Sequence, residues 1–234
     1  MNEIQKRIHT LLLREGASLI GFAPLADIPF SVHFPLPFAV SIAVALQPSI
    51  IAGILQGPTR EYHQEYLRLN QLLSHLAITT GDVLNNAGYQ AVILLPTTEN
   101  FDPHTLSADF PHKTAATLSG LGWIGKSALL VTETYGSAIR LTTVLTNAPL
   151  DTKPKREPSR CRNCTLCVEA CPAHAIRGIS WTPQLPRDEY YDAFACRETA
   201  RKLAQSKSID STICGICISV CPWTRAYLTR EGAR

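Results

Sequence analysis

The sequence has 234 residues and a formal net charge of +3, with 45% hydrophobic and 18% charged residues. That composition excludes a disordered chain and supplies the apolar side chains of a real core. The longest apolar runs, residues 38–46 and 91–95, are too short to cross a bilayer, and the charge alone does not imply nucleic acid.

Residues 1–14 read as a charged, amphipathic helix. Ile4, Ile8, Leu11 and Leu12 recur at helical spacing, and Gly16 is a plausible stop. The stretch has no signal-peptide core, so no membrane anchorage and a cytoplasmic location are expected. In that compartment thiols stay reduced, so the eight cysteines point to metal rather than to disulfides. Residues 18–23 and 38–46 read as strands. Gly57-Pro58-Thr59 opens a long helix whose apolar face carries Tyr62, Tyr66, Leu69, Leu73 and Leu76; it runs toward Gly88, with a break expected at Gly81. Residues 89–95 form a third strand ended by Pro96. Residues 97–110 read as a loop long enough to suspect function, and Pro111 suits the first turn of a short helix through Leu118. Residues 127–132 and 138–146 flank Tyr135-Gly136 and read as an antiparallel hairpin.

The first part of the chain is therefore mixed α/β with antiparallel strands. Every cysteine lies between Cys161 and Cys221, and Pro154 and Pro158 interrupt the charged stretch before them. The expected organisation is an α/β core domain over 1–150 and a cysteine module over 151–234. Lys153, Lys155, Arg156, Arg160 and Arg162 make the junction basic. It is either a solvated linker or a docking patch for an acidic partner or phosphate.

The first cysteine run is Cys161-x2-Cys164-x2-Cys167-x3-Cys171-Pro172. Three thiolates at this spacing wrap three corners of a cubane, and in two-cluster ferredoxins the fourth cysteine of the run serves the other cluster. The second run, Cys214-x2-Cys217-x3-Cys221-Pro222, is the same motif without its first cysteine, which Cys196 can supply. Four ligands for each of two [4Fe–4S] clusters then follow: Cys161, Cys164, Cys167 and Cys221 for the first, and Cys171, Cys196, Cys214 and Cys217 for the second. The rival is a pair of structural zinc sites, which favour paired C-x2-C knuckles over a triple run ending in Cys-Pro.

Gly120-Leu121-Gly122-Trp123-Ile124-Gly125-Lys126-Ser127 fits the P-loop pattern, but a P-loop follows a strand and opens a helix. Here the preceding residues read as helix and the following ones as strand, so a nucleotide is not expected. The same residues, followed by Leu129-Leu130, resemble the core motif of epoxyqueuosine reductases. Gly136-Ser137, Asn147-Ala148-Pro149-Leu150 and the eight-cysteine module ending in Cys221-Pro222-Trp223 follow in that family's order. The opening helix and Ser18-Leu19-Ile20-Gly21-Phe22-Ala23-Pro24 resemble its start. Reductive dehalogenases share the architecture more distantly.

The resemblance implies a nitroreductase-like or cobalamin-reductase-like core with a two-cluster ferredoxin-like module. It implies a cobalamin near one cluster, an external electron donor of ferredoxin or flavodoxin type, and a small-molecule or cofactor substrate. Three departures accompany it. The position of the family's catalytic aspartate holds Leu106, and the Glu-Arg pair that follows reads His112-Lys113; Asp109, nearby, is the candidate proton donor, or else an exposed loop carboxylate. The family's Gly-x-Met-x-Tyr-Leu segment is missing, and the sequence stops at Arg234 without the helical repeats that help many members hold tRNA. Queuosine chemistry and a tRNA partner are therefore not expected. Gly120, Gly122 and Gly125, with Trp123 and Lys126, either line a cofactor pocket or permit tight packing. An iron–sulfur reductase is the leading function; a non-catalytic electron carrier and a corrinoid-handling partner of another enzyme are the alternatives.

Overall fold

A computed structural model describes residues 1–25, 36–96, 101–108, 110–152 and 157–233. Asp109, and Lys153, Lys155 and Arg156 of the basic stretch, lie outside the described residues. From the N-terminus come α1 (Glu3–Arg14), β1 (Leu19–Pro24), β2 (Phe38–Ala45), α2 (Pro48–Ala52), α3 (Arg60–Asn86) and β3 (Ala91–Leu94). Then follow α4 (His112–Leu118), β4 (Trp123–Ile124), β5 (Leu130–Val131) and β6 (Ile139–Thr146). The C-terminal part contains α5 (Leu166–Glu169), α6 (Arg187–Tyr190), α7 (Ala193–Gln205), α8 (Ile216–Ser219) and α9 (Pro222–Arg230). Among the described residues no helix is long and apolar enough to cross a membrane.

The chain forms two compact units that interleave in sequence. Unit 1 comprises Met1–Ala45, Leu69–Leu121 and Arg140–Glu157; unit 2 comprises Leu46–Arg68, Gly122–Ile139 and Pro158–Arg234. The sequence suggests one boundary, at 150–151, because its cysteines fall on one side; compactness instead draws two earlier stretches into the cysteine-bearing unit.

Unit 1 is built on a four-stranded sheet in the order β1-β2-β6-β3. β1 and β2 are antiparallel, from Leu19 opposite Ala43 to Pro24 opposite Phe38, and β3 pairs antiparallel with β6. Ala39, Val40, Ser41, Ile42, Ala43 and Val44 of β2 are all buried. Unbroken burial of neighbours that point to opposite faces means both faces are covered. α4 lies against β1 and β2, and α1 against β1. α1 opens with a capping box in which Asn2 and Gln5 satisfy each other's backbone donors. Buried Gln5 also donates to the Asp151 carbonyl and accepts from its N–H, at 3.1 and 3.0 Å, so its amide keeps its hydrogen bonds away from water.

Two local expectations are corrected. α3 is unbroken at Gly81. A Cβ there would lie 2.9 Å from Ile93 Cδ1 of β3, so the glycine permits a close approach, which offsets its roughly 1 kcal/mol helix penalty. The expected hairpin around Tyr135-Gly136 does not form: β5 pairs with β4, while β6 enters the large sheet between β2 and β3. An isolated bridge, Thr132 to Gly136, closes the turn.

Unit 2 contains an internal repeat. α5 and α8 are single turns at the same place in the two cysteine runs, each ending just before a Cys-Pro step, and they pack on each other. Val168 N–H bonds to Thr165 O at 2.8 Å and Ile218 N–H to Gly215 O at 2.9 Å; Cys171 N–H and Cys221 N–H reach back to Val168 O and Ile218 O, both at 3.3 Å. After the second run Pro222 starts α9. After the first, Pro172 starts no helix. His174 there has φ +48°, a left-handed turn that a right-handed helix does not accept, and the chain goes on to the bridge Ile176–Tyr191.

Candidate iron–sulfur site

All eight cysteines lie in unit 2: the first expected set, Cys161, Cys164, Cys167 and Cys221, lines one cavity together with Cys217, and Cys171, Cys196 and Cys217 of the second share an apolar cluster with Cys167. The Cys167 thiol faces those of Cys161, Cys221 and Cys164; burial, with these neighbours adding, pushes it up to about 11. Burial pushes the Cys217 thiol upward, and Cys196, Cys214, Cys167 and Cys171 add to the shift in that order, so the other run's Cys167 acts on it as well. Buried thiols resist ionising until something positive binds them, which is the condition a metal cluster meets. Eight cysteines in one unit are the number of ligands that two four-cysteine cubane clusters take.

A cavity of about 310 Å³ opens on the first set. Cys161, Cys164, Cys167 and Cys221 line it with Gly125, Lys126, Arg160 and Trp223, and Cys217 of the other set also reaches it. Lys126 is 6% exposed, and its Nζ donates to the Cys164 carbonyl at 3.1 Å. The second set is packed in apolar cover that includes Ala175, Ile176, Ala195 and Tyr191.

The sulfurs are also hydrogen-bonded. Burial raises the Cys221 thiol, but the N–H groups of Thr224 and Trp223 and the side chain of Ser137 oppose this by bonding to it. Ser137 is positioned by Thr224, whose Oγ1 accepts from Ser137 N–H at 3.0 Å and lies 3.3 Å from Ser137 Oγ. Gly136 makes that approach possible: its φ is +58°, and a Cβ there would lie 2.2 Å from Thr224 N. In the second set burial raises the Cys196 thiol, the Tyr191 side chain bonds to it and opposes the shift, and Cys171 and Asp192 add to it. The Ile216 N–H serves Cys214 in the same way.

The glycine motif divides between two roles. Gly120, at φ +78°, ends α4 by donating to Thr117 O at 3.1 Å, a usual C-terminal glycine function. Gly122 is packed: a Cβ there would lie 2.1 Å from Val131 O. Gly125 and Lys126 line the cavity, and a Cβ on Gly125 would lie 2.9 Å from Val131 Cγ2 and 3.5 Å from Cys161 Sγ. Trp123 is 1% exposed. It meets Trp223 edge-on at 5.0 Å between ring centroids, with the Arg160 guanidinium over its ring at 5.2 Å. The residues after Lys126 form no helix, in line with the absence of a P-loop. Ser137, Thr224 and Tyr191 were not singled out as sulfur partners by the sequence; only Gly136-Ser137 stood out, as a turn.

Comparison with known proteins places these observations. Residues 160–224 match the family model described as "4Fe-4S double cluster binding domain", so the cofactors are two [4Fe–4S] clusters. An epoxyqueuosine reductase of Synechococcus sp. (strain CC9605) is 34% identical over 115 residues, 48% of this chain and 35% of that protein. Its match thus spans about a third of the relative's length. Among solved structures, one described as a reductive dehalogenase suggesting a mechanism for B12-dependent dehalogenation gives a TM-score of 0.71 at 17% identity, covering 93% of this chain and 31% of that one. An epoxyqueuosine reductase bound to an epoxyqueuosine-modified tRNA-Tyr stem loop gives 0.63 at 18% identity, covering 96% and 66%. Over about half its length the chain is similar to epoxyqueuosine reductases; its fold is mixed α/β with antiparallel sheet, and a 4Fe-4S double cluster binding domain lies at its C-terminal end.

Proposed function

We propose that the protein is a reductase that takes electrons from an external carrier of ferredoxin or flavodoxin type. It passes them through its two clusters to a small-molecule substrate or to cobalamin. The observation that carries this is that Cys161, Cys164, Cys167, Cys217 and Cys221 line one cavity while Cys167, Cys171, Cys196 and Cys217 share one apolar cluster. We assign Cys161, Cys164, Cys167 and Cys221 to the first cluster and Cys171, Cys196, Cys214 and Cys217 to the second. When bound, the clusters supply one-electron transfer; the chain's own residues hold them, exclude water and hydrogen-bond their sulfurs.

Cys171 and Cys221 each close the cluster of the opposite run, which ties the two halves of the repeat together. Cobalamin is the acceptor favoured by likeness to the B12-dependent dehalogenase fold. Asp109 is the proposed proton donor. Epoxyqueuosine itself is left out of the proposal, because Leu106 and His112-Lys113 stand where that family has its aspartate and Glu-Arg pair.

The test uses anaerobically purified full chain. Iron and sulfide analysis should give about eight of each per chain, with two interacting signals in electron paramagnetic resonance. Titration with cob(II)alamin under a low-potential reductant should shift its absorption spectrum saturably and yield the reduced corrinoid. Stoichiometric zinc without iron would sink the cluster assignment. Full clusters with an unperturbed cobalamin spectrum would leave an electron carrier, or a reductase of another acceptor.

A further inference from the structure

Lys126 poses a problem of charge. It is 6% exposed, and its Nζ donates to a neutral acceptor, the Cys164 carbonyl, at 3.1 Å. Among the described residues no carboxylate lies within ion-pair distance of it. Burying an ammonium without an anion is costly, and buried charges are found paired or at metal centres. The anion available to Lys126 is the one its own cavity is built to hold, since Cys161, Cys164, Cys167 and Cys221 line that cavity with it.

The second set has the opposite electrostatic neighbour. Asp192 is the N-cap of α7: its carbonyl accepts from Cys196 N–H at 3.2 Å and its carboxylate from Ala195 N–H at 2.9 Å, so the helix holds the negative charge beside Cys196. Both sets have one side-chain hydroxyl on a sulfur, Ser137 on Cys221 and Tyr191 on Cys196. The hydroxyls therefore do not distinguish the clusters, whereas Lys126 and Asp192 do.

We propose that Lys126 is the buried counter-cation of the first cluster and that Asp192 is a like-charge neighbour of the second, so that the first cluster has the higher reduction potential and the electron passes from the second to the first. The proposal rests on the ligand assignment made above. A cluster of four thiolates becomes more negative when reduced. A fixed cation beside it stabilises the reduced form, and a fixed anion destabilises it. In the step itself no bond forms or breaks: the second cluster is oxidised by one electron and the first reduced by one, and the external one-electron donor then restores the second. Lys126 and Asp192 act in this step as positioned charges.

The test is a potentiometric titration of the anaerobic full chain followed by electron paramagnetic resonance, with dithionite as reductant and iron and sulfide counted in each preparation. The first cluster's wave is the one that survives in Cys196→Ala. Lys126→Met is expected to lower that wave by at least tenfold in the reduction equilibrium, about 59 mV for one electron, and to leave the other wave in place. Lys126→Arg, which keeps the charge, is expected to hold it near the wild-type position. Asp192→Asn is expected to raise the second wave and not the first. If Lys126→Met fails to load the first cluster, Asp192→Asn and Lys126→Arg decide the matter. Two fully loaded clusters whose waves do not move in these directions overturn the proposal, as does a wild type in which the second cluster has the higher potential. A wild type without two cubanes overturns the ligand assignment, and the proposal with it, before any potential is read.

Discussion

Cys171 and Cys221 occupy the same position in the two runs but have different surroundings. Cys171 is packed with Ala175 and Ile176, whereas Cys221 takes hydrogen bonds from two backbone N–H groups and from Ser137. The proposed exchange of these two ligands makes a separable prediction. Cys221→Ala should remove the first cluster's resonance and Cys196→Ala the second's; loss of the same signal in both variants would refute the assignment. Gly136 has its own consequence. Any side chain there meets the Thr224 backbone in a left-handed conformation, so Gly136→Ala should cost on the order of 1–3 kcal/mol, read as a lower thermal midpoint. An unchanged midpoint would mean that α9 can shift without penalty. The cysteines were legible in the sequence because cubane geometry dictates their spacing and their number must close. The hydroxyl partners were not, because a single O–H on a sulfur imposes no spacing: Tyr191 and Ser137 lie on unrelated segments that only the fold brings to the thiols.

Among the elements, α4 shows why local pattern is an incomplete guide. Its first residue, His112, has Nδ1 2.9 Å from Thr143 Oγ1 and Nε2 3.0 Å from the Leu95 carbonyl. Burial, with the charge of Arg140 adding, holds the imidazole below its usual pKa, against the opposing pull of the Leu95 hydrogen bond. The folded chain thus takes up this proton less readily than the unfolded chain, whose histidine titrates near about 6.5. The contribution to stability is full above that value and is lost as pH falls below it toward the folded pKa. Wild type should therefore lose more thermal stability than His112→Gln between about pH 7.5 and pH 5.5; equal losses would show that the imidazole is not held neutral. β1, β2, β3 and the long helix α3 were readable from periodicity and apolar runs. The partner of β6 was not, since its run of Val, Leu and Thr suits any neighbour, and nearness in sequence suggested β5. Likewise the Gly81 break failed because tertiary contact with Ile93 outweighed intrinsic propensity.

At the scale of the molecule, the cysteine-bearing unit is not its last third alone. A Cβ on Gly215, beside Cys214, would lie 2.5 Å from Ile54 Cδ1 and 3.2 Å from Tyr62 Cε1. Ser137 N–H bonds to Thr224, Tyr227 O–H donates to the Leu46 carbonyl at 3.0 Å, and Lys126 reaches Cys164. A fragment of residues 151–234 lacks every one of these supports. It should bind less than the full complement of iron and melt without a cooperative transition; a fully loaded fragment with a sharp transition would show that the cysteine module folds alone. The sequence could not reveal this, because contact between distant stretches leaves no local mark in either.

The interleaving also sets an order of events during synthesis. Unit 1 ends at Glu157, before Cys161, so its sheet can close before any thiol has left the ribosome, in keeping with the tendency of chains to fold from the N-terminus as they emerge. Residues 46–68 and 122–139 are made before the C-terminal stretch with which they form unit 2. Both of the chain's expected sets of cysteines are complete only once Cys221, the last of the eight, has been made. The stretch of translation between Cys161 and Cys221 is the interval in which its thiols are most open to oxidation or to capture by the wrong metal.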